Sequence, residues 1–140
     1  MNRMFLSCNS LPELDLKGFD TENVTNMEAM FSNCSRLKML DLSSFNTHNV
    51  TKITTMFQYC SNMTTLDISN FSFDYSVATI CMFFECSSLS KIIAPDFPVS
   101  KVTESYSMFT NCTNLPNYNS SKTNVSMAKS ISSGGYFTKP

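Results

Sequence analysis

The chain has 140 residues, only 15% of them charged, and its ten basic and eleven acidic side chains leave a net charge of −1. With Lys and Arg scattered singly it lacks the basic footprint of a nucleic-acid binder, and no apolar run reaches the ~18 residues needed to cross a membrane. A hydrophobic share of 42% is enough for a packed core, so Ser, Thr and Asn take the place of charge on the surface.

The opening MNRMFLSCNS has no continuous apolar stretch of the secretory kind. That is expected of an intracellular protein or of a piece of a longer exported one, and it leaves a cytoplasmic location open. The first element begins within it. Met-Phe stands at 4–5 and recurs at 30–31, 56–57, 82–83 and 108–109, each time with a cysteine three residues after Phe: Cys8, Cys34, Cys60, Cys86 and Cys112. Every step is 26 residues. A strict period of this length predicts a solenoid, in which each repeat is one coil stacked on the last. Five coils are expected over 1–118, starting near Met4, Met30, Met56, Met82 and Met108.

Within a coil the elements follow in order. Leu11, Leu37, Met63, Leu89 and Leu115 form one apolar column. Next come the triplets Leu14-Asp15-Leu16, Leu40-Asp41-Leu42, Leu66-Asp67-Ile68 and Ile92-Ile93-Ala94. Their period of two predicts a short strand with Asp on the exposed face, and stacking would align these strands into a parallel sheet. A turn follows, with Phe19, Phe45, Phe71 and Phe97 in column. Val24, Val50 and Val102, each before Thr, predict a second extended stretch. Met27 and Ile53 lie three residues further on, and the Met-Phe pair three beyond those; this spacing predicts one or two turns of helix.

Two coils depart from the pattern. In the third, Val77 and Ile80 come one position late, which predicts a bulged turn around Phe73–Tyr75. In the fifth, Tyr118, Asn119 and Ser120 replace the apolar strand, and 119–140 is expected to be a degenerate capping segment with a wettable outer face. The first coil has no such cap. It is expected either to follow further repeats or to associate with a partner through its open edge.

The string LDLSSFNTHNVTKITTMFQYCSNMTTLDIS, with Leu14–Leu16, Phe19–Thr21, Val24–Thr25, Met27, Met30–Phe31, Cys34 and Leu37, closely resembles the BspA-like leucine-rich repeat family of microbial surface proteins. The resemblance extends to the ending LPNYNSSKTNVSMAKSISSGGYFT and covers essentially the whole chain. It implies a leucine-rich-repeat solenoid, placed on the cell surface or outside the cell, that adheres to an extracellular protein or glycan.

The candidate sites follow from the columns. Asp15, Asp41 and Asp67 would project from one sheet face about a strand spacing apart, where like charges repel. A cation such as calcium would relieve them, and so would hydrogen bonds from the adjoining turn; calcium wants six to eight oxygens, and a flat row supplies few, which favours the turn. Single cysteines per coil lack the close pairing of metal sites and are expected to be buried free thiols, with Cys81, off the column, the more reactive one. The Met-Phe column is expected to be core, its rings stacked as an aromatic ladder. His48 is the sole histidine, and no G-x-S-x-G, H-E-x-x-H or phosphate-cradling glycine loop accompanies it. Eight N-x-S/T sequons arise from an Asn/Ser/Thr-rich composition. No enzymatic activity, cofactor or metal is therefore expected. The positions that vary from coil to coil on the strand face, Glu13, Met39, Thr65 and Lys91 beside the Asp row, are the expected binding residues. The other reading is a structural spacer or stalk with no ligand of its own.

Overall fold

The computed structural model describes residues 1–140, the side chain of Ile131 excepted. Regular secondary structure is sparse. β1 (Thr65–Asp67), β3 (Lys91–Ile93) and β5 (Phe137–Thr138) form a parallel sheet in the order β1-β3-β5. β2 (Val77–Ala78) and β4 (Val102–Glu104) form a second parallel pair, continued towards the N-terminus by bridges joining Asn26, Lys52 and Ala78. Three short 3-10 turns lie at Val99–Lys101, Val125–Met127 and Ile131–Ser133. The parallel pairs join residues 25 or 26 apart wherever both partners lie within the periodic part, as in Leu66 with Ile92. The result is a repeat-like fold of small parallel sheets and turns.

The apolar columns account for the core. Phe31, Phe57, Phe83 and Phe109 are fully buried, as are Met27, Met56, Met82 and Met108. The rings of Phe5, Phe31, Phe57, Phe83 and Phe109 stack in sequence, with centroids 5.6, 5.7, 5.8 and 5.3 Å apart and planes within 14° of parallel. These spacings lie within the range for offset aromatic stacking. A second aromatic column leans on the first, through Phe19 on Phe5 and Phe45 on Phe31.

The expected short helix is not formed, and no α-helix occurs among the described residues. Between Met27 and Cys34 the chain makes consecutive tight turns. Met30, Ser32 and Cys34 donate their N–H groups three residues back, to Met27, Ala29 and Phe31. The alternate N–H groups, of Met27, Ala29, Phe31 and Asn33, donate instead to the carbonyls of Lys52, Thr54, Met56 and Gln58 in the next repeat. An α-helix would turn every N–H along its own axis and leave none for the neighbour. Apolar spacings of three and four serve a run of turns as well as a helix.

This alternation needs left-handed backbone at two places per repeat. Ala29 and Asn33 have φ of 52° and 59°, and the same two columns hold Arg3, Thr55, Cys81 and Ser107, and Ser7, Tyr59, Glu85 and Asn111. Asn tolerates this region, while a β-branched residue does not. Thr55→Gly, at φ 55°, is therefore expected to raise stability by about 1 kcal/mol, the relief of strain exceeding glycine's entropy cost. Urea denaturation checks it; a loss of stability would mean that the Thr55 side chain contributes more than its backbone costs.

The strand triplets are realised unevenly. Those of the third and fourth repeats lie on β1 and β3, but 14–16 and 40–42 carry no paired strand. In the third repeat the chain bends at Asp74 and Tyr75, and the β2/β4 register slips between Val77 and Ala78. Phe73 takes the position that Thr21 and Thr47 hold in earlier repeats and is buried edge-on against Phe71 and Phe97. The Lys101 ammonium donates to the carbonyls of Phe73 and Asp74, fixing the bend.

The fifth strand position is filled not by 118–120 but by β5, which pairs Phe137 with Ile92 and Thr138 with Ile93. Tyr136 and Phe137 set their edges against Phe109, with interplanar angles of 80° and 73°. A perpendicular ring covers the last stacking face. The Tyr136 hydroxyl donates to the Lys122 carbonyl and accepts from the Asn119 N–H, tying the segment down. Gly135 is required there because a β-carbon would overlap the Lys129 carbonyl oxygen.

Candidate functional site

All seven expected strand-face residues are exposed: Glu13, Asp15, Met39, Asp41, Thr65, Asp67 and Lys91. The absence of strand pairing between 40–42 and β1 opens two adjoining clefts there. One, of about 270 Å³, is walled by Lys38, Met39, Leu40, Thr64, Thr65 and Asp67. The other, of about 150 Å³, lies between Asp41 and Ser43 on one side and Asp67, Ser69 and Asn70 on the other. The fold thus brings Met39, Asp41, Thr65 and Asp67 together. Lys91 sits beside Thr65 in register but outside the clefts, and Glu13 and Asp15 lie on the first repeat away from them.

The aspartates are engaged locally. One Oδ1 of Asp15, Asp41 and Asp67 accepts the N–H of Lys17, Ser43 and Ser69, two residues on in each case, at 2.9, 3.0 and 2.9 Å. These are Asx turns, which close the corner after each triplet. The Ser43 hydroxyl and N–H hold the Asp41 carboxyl below its usual range. Among the described residues no group of three or more His, Cys, Asp or Glu is placed to hold a metal ion.

His48 meets Ser72 and Asp74 on the surface, but the geometry builds no proton relay. Asp74 approaches Nδ1 at 3.3 Å, and the Ser72 hydroxyl lies 3.3 Å from both ring nitrogens. A relay needs the hydroxyl on one nitrogen and the carboxylate on the other. Several sequon asparagines are likewise in structural use, since the amide nitrogens of Asn49, Asn62 and Asn70 donate to carbonyls of the preceding repeat.

The six cysteines are all free thiols. Cys34, Cys60, Cys86 and Cys112 are fully buried, and each Sγ donates to the carbonyl of the preceding repeat's Phe, at 3.1, 3.2, 3.0 and 2.9 Å. Burial pushes all four upward, Cys34 to about 11 and Cys112 to about 12, so they stay protonated and unreactive. Cys81 is partly exposed, and burial raises it as well.

A family model described as Mycoplasma protein of unknown function, DUF285, matches residues 1–124. The chain belongs to the DUF285 family. No curated protein and no solved structure matches it. The match of this DUF285 chain ends before the 3-10 turn at Val125–Met127 and before β5.

Sequence reasoning missed one pair of residues in this DUF285 member. Thr21 and Thr47 are buried, and each hydroxyl both donates to and accepts from the next repeat's backbone. Thr47 Oγ1 donates to the Ser72 carbonyl at 2.8 Å and accepts the Ser72 N–H at 2.9 Å; Thr21 does the same with Asn46. The 26-residue recurrence of Thr was the available signal. Thr47→Val keeps the shape but strands both groups, and is expected to cost about 1–3 kcal/mol. Urea denaturation beside Thr47→Ser, which keeps the hydroxyl, checks it; equal losses would assign the effect to packing.

Among the described residues no helix is long and apolar enough to cross a membrane.

Proposed function

We propose that this chain is a non-enzymatic binding module, a solenoid of leucine-rich-repeat type that presents its strand face to an extracellular protein or glycan. One observation carries the reading. The buried columns repeat the same chemistry in coil after coil, while the exposed positions beside the Asp row change from Glu13 to Met39 to Thr65 to Lys91. A stack that fixes its core and varies one face suits recognition across several repeats. Met39 is 70% exposed on the wall of the larger cleft. An apolar side chain so placed gains on being covered. The resemblance to BspA-like proteins supports a place on the microbial cell surface.

The test is a panel of extracellular-matrix proteins, host-surface proteins and glycans probed for binding to the intact chain. Binding to a member, weakened at least tenfold by Met39→Asp or Lys91→Glu, supports the reading. No binding to any member supports the second reading, a spacer that holds other domains apart. The shallowness of the clefts and the engagement of each Asp in its own turn favour that alternative.

A further inference from the structure

The two clefts on the strand face are an opening in the backbone ladder. Between the third and fourth repeats the Ser90 N–H donates to the Thr64 carbonyl at 2.9 Å and the Ile68 N–H to the Ile93 carbonyl at 2.8 Å. One repeat earlier the first of these bonds is stretched, with Thr64 donating to Lys38 at 3.4 Å, and the second is not made. The Leu42 N–H and the Asp67 carbonyl therefore border the gap with no hydrogen-bond partner among the described residues. The Asn70 amide closes one end, donating to the Leu42 carbonyl at 3.0 Å and to the Phe45 carbonyl at 2.7 Å.

An unpaired N–H set against an unpaired carbonyl calls for an occupant that both accepts and donates. An inserted strand cannot supply it. Such a strand needs about 4.7–4.9 Å on each side of itself, whereas the stacked rings of Phe31 and Phe57, 5.7 Å apart, hold the two repeats a single coil apart. A hydroxyl can supply it, since one oxygen accepts from Leu42 and donates to Asp67. Further partners for hydroxyls stand around the gap. They are the Ser43 and Ser69 side chains, the Asp41 carboxylate and Asp67 Oδ2, which has no partner among the described residues because the turn takes only Oδ1. Beside them Met39, exposed in the wall of the larger cleft, offers an apolar flank. Closely spaced hydroxyls next to an apolar C–H face describe a pyranose ring. Charge narrows the class, because Asp41 and Asp67 against the one ammonium of Lys38 make the walls net acidic and repel an anionic sugar.

We propose that the gap between the second and third repeats binds a neutral hexopyranose unit of a glycan, an inference that rests on the binding-module reading and names its ligand. One ring hydroxyl bridges the Leu42 N–H and the Asp67 carbonyl, and the C–H face lies on Met39.

The test titrates the full chain with methyl glucoside, methyl galactoside and methyl mannoside, each beside the uronic acid in which its CH2OH group is a carboxylate. Backbone amides are followed by NMR. At least one neutral glycoside shifts the Leu42 and Asp67 amides and slows hydrogen exchange at Leu42, and its acidic counterpart binds about tenfold more weakly. Asp67→Asn weakens the binding about tenfold at an unchanged Tm, since Asn closes the same turn. Should that variant not fold, Ser69→Ala, which keeps the N–H of the turn, takes its place with a loss of the same sign. The proposal is overturned if no glycoside shifts these amides, if glycerol shifts them equally at equal concentration, or if the acid binds as well as its neutral parent. The broader reading fails separately. A chain that ignores every glycoside yet captures a matrix protein, in a way that Met39→Asp weakens, overturns the glycan site and leaves the binding module standing; capture of neither overturns both.

Discussion

Phe57→Ala is expected to cost about 3–5 kcal/mol of folding stability, the range for truncating a large core side chain. The ring is fully buried midway along the aromatic ladder, 5.7 Å from Phe31 and 5.8 Å from Phe83. Its neighbours cannot close the gap cheaply, because the Phe31 and Phe57 N–H groups pin their backbones to Met56 and Met82. The cavity term is then felt in full. Phe5→Ala, where one ring face is open, should cost roughly half as much. Chemical denaturation of both variants measures the contrast, and a loss below about 1 kcal/mol at Phe57 would mean that the ladder is not packed.

Alkaline pH is expected to unfold the protein through its buried thiols. An ordinary thiol ionises near 9, whereas burial holds the Cys34 proton to about 11 and the Cys112 proton to about 12, with Cys60 and Cys86 also raised well above 9. Well below pH 9 all four are protonated folded or unfolded, and they add no pH dependence. Above it the unfolded chain has released protons that the folded chain still holds, so stability falls as pH rises. Each thiol removes about 1.4 kcal/mol per pH unit in that window, and the four together about 5. The fall continues towards about 11, where Cys34 begins to ionise in the folded state. Urea midpoints between about pH 8 and about pH 10 follow the effect, and because lysine and tyrosine begin to titrate at the top of that range, comparison with a variant lacking one thiol isolates it. Cys86→Ala should make the slope about a quarter shallower, and a stability flat to pH 10 would mean that the thiols reach water.

The period and the apolar columns were legible because each column is one burial requirement stated five times. Phe31, Phe57 and Phe83 declared a stacked interior, and the thiol column declared its burial. The Met27–Cys34 segment was not legible as turns. Its apolar spacing fits a helix equally well, and what decides is where the N–H groups go, which side chains do not encode. The strand at Phe137–Thr138 was hidden because the frame is lost after Tyr118, and a strand that returns from 19 residues downstream of it leaves no periodic trace. At the candidate site, exposure of Glu13, Met39, Thr65 and Lys91 was legible from alternation with the buried Leu and Ile positions. The clefts beside Met39 and Asp41 were not, since they depend on two neighbouring triplets failing to pair.

The alternating bonds between repeats have an electrical consequence. The peptide units joining 28 to 29, 30 to 31 and 32 to 33 all aim their N–H groups towards the C-terminal end of the stack and their carbonyls towards the N-terminal end. Ordinary sheets largely cancel their peptide dipoles, but these are parallel and joined head to tail, as in the column through Phe5, Phe31, Phe57, Phe83 and Phe109. Each unit contributes ~3.5 D, and aligned units act as partial charges at the two ends, as they do in a helix. This column is thereby polarised along its length, negative at the first repeat and positive towards Tyr136 and Phe137, while the bonds from Thr51 to Thr25 and from Ala78 to Thr51 run the opposite way. Adding repeats to such a stack moves the poles apart without strengthening either one.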